Sequence, residues 1–213
     1  MMSNNSPIIF LRKVLLFASI SLCNIPNSIL AETMKDTEPK LIVSKLQKAL
    51  VNSMKEAKNY NIKDRYEKLK PVIETLFHIS TMTKVTTSSF WRNATENQKA
   101  DLQKEFARFT AATYAAQFNK FSGETLKVLG EKPGPQNTVL VSTEILRPGK
   151  KSVVIVYVVK KINEKLGIID ILLDIGISEL AKKRSEFRRT LSLTGLKGLT
   201  LSLREKTNSI LIE

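Results

Sequence analysis

The chain has 213 residues, with 34 Lys and Arg against 20 Asp and Glu, one His and one Cys. That length fits one domain with a core of its own, and a formal charge of +14 points to an anionic partner. A single cysteine excludes a disulfide framework within the chain, and one His with one Cys argues against ordinary zinc ligation.

Residues 1–31 read as a secretory signal. Arg12 and Lys13 form a positive start, Val14 to Cys23 is an apolar run too short to span a bilayer, and Asn24, Pro26 and Asn27 break it. Ile29-Leu-Ala31 offers a cleavage site, with Ile where a small residue is preferred. Leu22 argues against a lipoprotein signal at Cys23. Cleavage after Ala31 removes the cysteine and lowers the formal charge from +14 to +12. The mature chain is then expected to enter an oxidising compartment. An exported chain without an aromatic-basic pattern for single strands is not expected to bind nucleic acid. An anionic membrane surface or an acidic protein fits better; charge that serves only solubility is the other reading.

Residues 32–39 read as a flexible lead-in. Ile42, Leu46, Ala49, Leu50, Met54 and Ala57 form a helical stripe over Leu41 to Lys58. Ile62 to Leu69 reads as a short helix. Pro71 opens a new one, Pro71 to Phe77, because proline suits a first helical turn. His78 then reads as a helix-end or core-edge residue.

Thr95 and Gln98 make a capping box for a helix that runs to Phe118, with an apolar and aromatic stripe that includes Leu102, Phe106, Phe109, Tyr114 and Phe118. Such a stripe is either core or one wall of a cavity. A short strand, Glu124 to Leu129, and a loop, Gly130 to Gln136, follow.

Three apolar strands come next. Thr138 to Leu146 and Lys151 to Lys160 form a hairpin across Pro148-Gly149, and the chain returns through Asn163-Glu164 into Gly167 to Ile175. Alternation places Val139, Val141 and Ile145 on one face of the first strand, and Ile169, Ile171, Leu173 and Ile175 on one face of the third. The middle strand is apolar on both faces: Val153, Ile155, Tyr157 and Val159 against Val154, Val156 and Val158. A sheet with one wet face alternates cleanly, so the centre of this one is expected to be covered on both sides, by a helix or by an apolar ligand. Ser178 caps a final basic helix, where Lys182, Lys183, Arg184, Arg188 and Arg189 form either a solvated face or a docking surface. Gly195 starts the last helical segment.

Enzyme motifs are incomplete. Gly149-Lys-Lys-Ser152 has the end of a phosphate-binding loop but Ile145 stands where its first glycine belongs. Gly176-Ile-Ser-Glu-Leu180 lacks the closing glycine of a nucleophile elbow. Asp170 and Asp174 lie roughly 13 Å apart along a strand, too far for paired glycosidase carboxylates. No cofactor is expected, and a non-enzyme is favoured.

Phe90-Trp-Arg92, Ala94-Thr-Glu-Asn-Gln98, Thr113-Tyr-Ala115 and Phe121-Ser-Gly-Glu124, in that order, resemble the periplasmic lipid-binding MlaC family, also called the toluene-tolerance auxiliary component of an ABC transport system. Ile168-Ile-Asp170, Gly176-Ile-Ser178, Arg184-Ser-Glu-Phe187 and Gly195-Leu-Lys-Gly-Leu199 extend the resemblance over roughly Leu41 to Lys206. Ser178 to Phe187 and Phe121 to Glu124 are most similar to its hopanoid-associated branch, HpnM. The chain departs from the family at Leu166-Gly167, where a Trp is usual, at Ser88-Ser89 in place of Leu-Gly, and at His78, where an acidic residue is common.

The resemblance implies an α+β fold: a twisted antiparallel sheet of about four strands packed against several helices, with an apolar cavity between them. The domain would span residues 40–207, with a C-terminal tail over 208–213, and the implied compartment is the periplasm. The implied cargo is phospholipid or a hopanoid-type lipid, and the implied partners are an inner-membrane ABC transporter with its MCE-domain protein and an outer-membrane lipoprotein complex. Strand parity and the helix stripe nominate Phe106, Phe109, Tyr114, Phe118, Val139, Val141, Ile155, Tyr157, Val159, Ile169, Ile171 and Leu173 as cavity lining. Two other classes of function stand beside a lipid carrier: a non-catalytic adaptor of an envelope complex, and a hydrolase that pairs His78 with a serine.

Overall fold

The computed structural model describes residues 37–173 and 176–212. The leader over 1–31, residues 32–36, and the positions of Asp174 and Ile175 lie outside the described residues. The helices come first and last, and the strands lie between them. The order is α1 (Glu38–Glu56), α2 (Ile62–Leu76), α3 (Ile79–Thr87), α4 (Ser89–Arg92), α5 (Glu96–Gln117), β1 (Thr125–Gly134), β2 (Thr138–Arg147), β3 (Lys150–Ile162), β4 (Lys165–Leu173), β5 (Ile177–Ser178) and α6 (Glu179–Ile210). The strands form one antiparallel five-stranded sheet in sequence order. This is the expected α+β fold, with a two-residue fifth strand added.

Local chemistry sets the ends of several elements. The capping box forms: Thr95 accepts from the Gln98 N–H and the Gln98 side chain accepts from the Thr95 N–H. Asn61 caps α2 by accepting from the Asp64 N–H at 3.0 Å. Gly149 turns the β2–β3 hairpin at φ 68°, and Asn163 and Glu164 turn the β3–β4 hairpin at φ 47° and 60°. Two successive positive φ values give the mirror-image turn that matches strand twist.

Three sequence expectations change. The break at Pro71 is absent, and α2 runs through it. Tyr66, Leu69, Ile73 and Leu76 stay in phase on one buried stripe, so continuous burial outweighs the cost of about 3 kcal/mol for an interior proline. Glu67 and Pro71 are both exposed, so the carbonyl that proline leaves without a donor can meet water. β1 continues through the expected loop to Gly134, with a register shift between Val128 and Gly130. Among the described residues no second layer covers the whole outer face of the sheet. Val153, Ile155, Tyr157 and Val159 enter the core, whereas on the opposite face Val154 is 42 % exposed, Val156 is half-buried and Val158 is buried. Strand propensity and packing against neighbouring strands account for Val154 and Val156. Over 208–213, α6 continues to Ile210.

The helices pack against the inner face. Phe106 meets Phe187 edge to face at 6.3 Å, joining α5 to α6. Glu105, 2 % exposed, joins the same helices through Arg108 at 2.7 Å and Arg204 at 3.1 Å. His78 ties the helical layer to the β3–β4 hairpin: Nε2 lies 3.0 Å from the Lys160 carbonyl and 2.9 Å from the Lys165 carbonyl. Both partners are acceptors, so Nε2 carries the hydrogen. The His78 N–H also donates to the Ile168 carbonyl at 2.9 Å.

Candidate functional site: a cavity between the sheet and the helices

Between the inner face of the sheet and the helices lies a cavity of about 430 Å³, within the ~300–1,000 Å³ range of ligand sites. Its depth is apolar: Leu50 from α1, Phe77 and Met82 from either end of the α2–α3 junction, Phe118, Ile155, Ile171 and Leu173. Its rim is charged: Asp170 from β4, and Glu179, Lys182, Lys183 and Glu186 from α6.

α5 supplies one wall through Phe109, Thr110, Thr113, Tyr114, Gln117 and Phe118, successive positions along one helical face. Tyr114 stacks on Phe118 at 5.6 Å and meets Phe77 edge to face at 6.1 Å. Phe106 lies on the same face a turn earlier, where it packs on Phe187 of α6, and does not line the cavity.

The strands contribute Ile155, Tyr157, Ile171 and Leu173. Val141 and Val159 are fully buried in the core and Val139 is half-buried against it; none of the three lines the cavity. Ile169 does not line it either, and the reason is a β-bulge. Val158 pairs with Asp170 and Val159 with Ile168, which leaves Ile169 as the extra residue. One inserted residue reverses parity, so Ile168 enters the core at 0 % exposure in place of Ile169.

The same bulge frames Asp170. Its Oδ2 accepts from the Ser178 hydroxyl at 2.6 Å, and its Oδ1 accepts from the Leu180 N–H at 3.0 Å. Ser178 Oγ in turn accepts from the Ala181 N–H at 2.9 Å, so the cap expected at Ser178 is present. A carboxylate beside the first turn of α6 complements the helix dipole and fixes the helix at the rim.

Lys183 is half-buried with its ammonium 5.1 Å from the Phe109 ring centroid. Burial lowers its pKa, while Glu186 and Glu179 work in the opposite direction. Lys182 shares the rim. Arg184 reaches Ser88 at 3.4 Å, and Arg188 and Arg189 are exposed further along α6, off the rim. Burial raises the pKa values of Tyr114 and Tyr157, which keeps both hydroxyls protonated. Sequence reading missed Thr110, Thr113 and Gln117 by following only apolar residues; the face that Phe109, Tyr114 and Phe118 define contains all three. Leu50, Phe77, Met82, Leu180 and the acidic rim depend on tertiary packing that no local pattern carries.

Among the described residues no group of three His, Cys, Asp or Glu side chains is placed to hold a metal ion. Within the same residues no helix is long and apolar enough to cross a membrane. His78 lies outside the cavity lining, with its ring nitrogen held by backbone carbonyls.

The fold and the cavity together define an α+β protein with a helix-backed sheet around an apolar chamber. The chain belongs to the MlaC protein family, whose model matches residues 43–205. A solved structure similar to it is a phospholipid-binding protein from Ralstonia solanacearum in complex with a phospholipid. The two share 19 % sequence identity over 81 % of this chain and 96 % of that one, with a TM-score of 0.67. At that identity the likeness establishes the fold. No curated protein sequence matches this chain.

Proposed function

We propose that this protein is a periplasmic lipid carrier that holds the acyl portion of a phospholipid in the cavity between α5, β3 and β4. It carries lipid between an inner-membrane ABC transporter with its MCE-domain protein and an outer-membrane lipoprotein complex. The observation that carries this reading is the pairing of an apolar chamber with a charged rim. Each methylene taken out of water contributes about 0.8 kcal/mol, so an apolar chamber is the main requirement for an acyl cargo. Membership of the MlaC family and the phospholipid held by the Ralstonia protein support the same reading. Lys182 and Lys183 at the rim suit an anionic headgroup, and the exposed Arg188 and Arg189 suit an acidic docking partner. Carriage requires no bond-making group. A hopanoid-type cargo is the variant of this reading favoured by the likeness of Ser178 to Phe187 to the HpnM branch.

Transfer of phosphatidylglycerol between donor and acceptor vesicles tests the proposal. The mature protein is expected to accelerate transfer, and Leu173→Trp, which fills the chamber, is expected to abolish the acceleration without unfolding the chain. A wild-type protein that neither binds nor transfers phospholipid would favour the adaptor reading.

A further inference from the structure

Among the described residues, two phenol hydroxyls in the cavity wall have no hydrogen-bond partner. Tyr157 projects from β3 and is 3 % exposed; Tyr114 projects from α5 and is half-buried. Buried phenol hydroxyls ordinarily find a hydrogen-bond partner. Among the described residues neither of these does, and neither phenol is influenced by a side-chain hydrogen bond. The cavity's threonines behave differently: Thr110 and Thr113 return their hydroxyls to the Phe106 and Phe109 carbonyls of α5, each at 2.8 Å.

The position of the two tyrosines is specific. Tyr114 packs between Phe77, which reaches the apolar depth, and Phe118. Its hydroxyl also lies within electrostatic reach of both Tyr157 and the rim residue Glu179. The cavity lining thus joins three kinds of group: charged side chains of β4 and α6, two neutral phenol hydroxyls, and the apolar Leu50, Phe77 and Met82.

We infer that Tyr114 and Tyr157 form a hydrogen-bonding collar that binds the ester carbonyls of a glycerolipid. This rests on the lipid-carrier reading and narrows its cargo. A phospholipid carries the complementary three kinds of group: a charged headgroup, ester linkages, and acyl chains. An ester carbonyl only accepts hydrogen bonds, and burial keeps both phenols in their donating form. A polycyclic hydrocarbon lipid presents no acceptor at that depth and leaves both hydroxyls unpartnered, which costs affinity. The collar thus selects ester-linked glycerolipid over a hopanoid-type lipid.

The test compares dioleoyl phosphatidylglycerol with its diether analogue, which keeps the headgroup and chains and lacks both carbonyls. Binding is measured by native mass spectrometry with the mature wild-type protein, the Y114F and Y157F single variants and the Y114F/Y157F double variant. The wild type is expected to prefer the diester by about fivefold or more, each hydrogen bond being worth roughly two- to tenfold. Each single variant loses part of that preference, and in the double variant the two affinities converge. Equal wild-type affinity for the two lipids overturns the collar and leaves the carrier reading standing. A preference that survives in the double variant also overturns it. If the double variant does not fold, the singles decide, since each retains its ring and packing. A wild type that binds neither lipid overturns the carrier reading and the collar together.

Discussion

Ser178 donates its hydroxyl hydrogen to Asp170 Oδ2 at 2.6 Å, and that bond joins the bulged fourth strand to the start of the last helix. The Leu180 N–H on the other carboxylate oxygen completes the clasp. Asp170 therefore holds in place the helix that carries Glu179, Lys182, Lys183 and Glu186 at the rim. Asp170→Ala is predicted to cost about 1.5–3 kcal/mol, the worth of charge-assisted hydrogen bonds. For a domain of this size that lowers Tm by roughly 3–12 °C. Asp170→Asn, which keeps one acceptor oxygen, costs less. Thermal unfolding followed by circular dichroism checks the order.

A second prediction concerns the hairpin staple. A Cβ at Gly167 would lie 2.9 Å from the His78 ring. Gly167→Ala is predicted to destabilise by about 1–3 kcal/mol through overpacking. His78→Ala opens that space, so Gly167→Ala costs less in its background than in wild type. Urea unfolding of the four proteins in the cycle measures the coupling; strict additivity would contradict the contact.

Lys183 makes the protein's stability depend on pH in a definite direction. Burial holds its folded pKa below the usual 10.5, so in that window the unfolded chain binds the proton more tightly. Stability therefore rises with pH from the lowered folded value up to 10.5. Below that window the buried charge is a constant cost. Lys183→Met is predicted to remove the rise and to leave the lipid-free protein at least as stable at neutral pH, while weakening its hold on phosphatidylglycerol. Denaturant unfolding between pH 7 and pH 10 in about half-unit steps, with lipid binding at pH 7, reads both effects.

Tyr114 and Tyr157 act with the opposite sign. Burial raises both phenols above 10.0 in the folded protein. Their contribution is complete below the unfolded value of 10.0 and is lost as pH rises through it towards the folded values. The double variant Y114F/Y157F is predicted to show a shallower alkaline loss of stability than wild type. Unfolding curves above pH 10, referenced to each protein at pH 8, test this.

Where local chemistry decides, the sequence is readable. Thr95 and Gln98 announce a helix start, Ser178 announces another, and Pro148-Gly149 fixes a hairpin, because each depends on residues within three positions of one another. Parity carries the inner faces of β2 and β3 correctly. It fails at Ile169, since a bulge depends on pairing with Val158 and Val159, residues about ten positions away. Pro71 misleads because the rule for proline is local whereas the stripe from Tyr66 to Leu76 is stabilised by packing. The aromatic stripe of α5 nominates Phe106 with Phe109, Tyr114 and Phe118; the last three line the cavity, and Phe106, a turn earlier on the same face, packs on Phe187. A helix longer than the cavity divides one stripe between cavity and packing along its length, and only the tertiary arrangement says where.

The central claim is that the chamber behind Tyr114 and Tyr157 holds lipid. The most direct measurement is native mass spectrometry of the mature protein, purified from its own host without detergent, followed by lipid extraction. The account predicts a stoichiometric adduct whose mass and fragments are those of an ester-linked phospholipid. A lipid-free protein that also takes up no added phospholipid would contradict it.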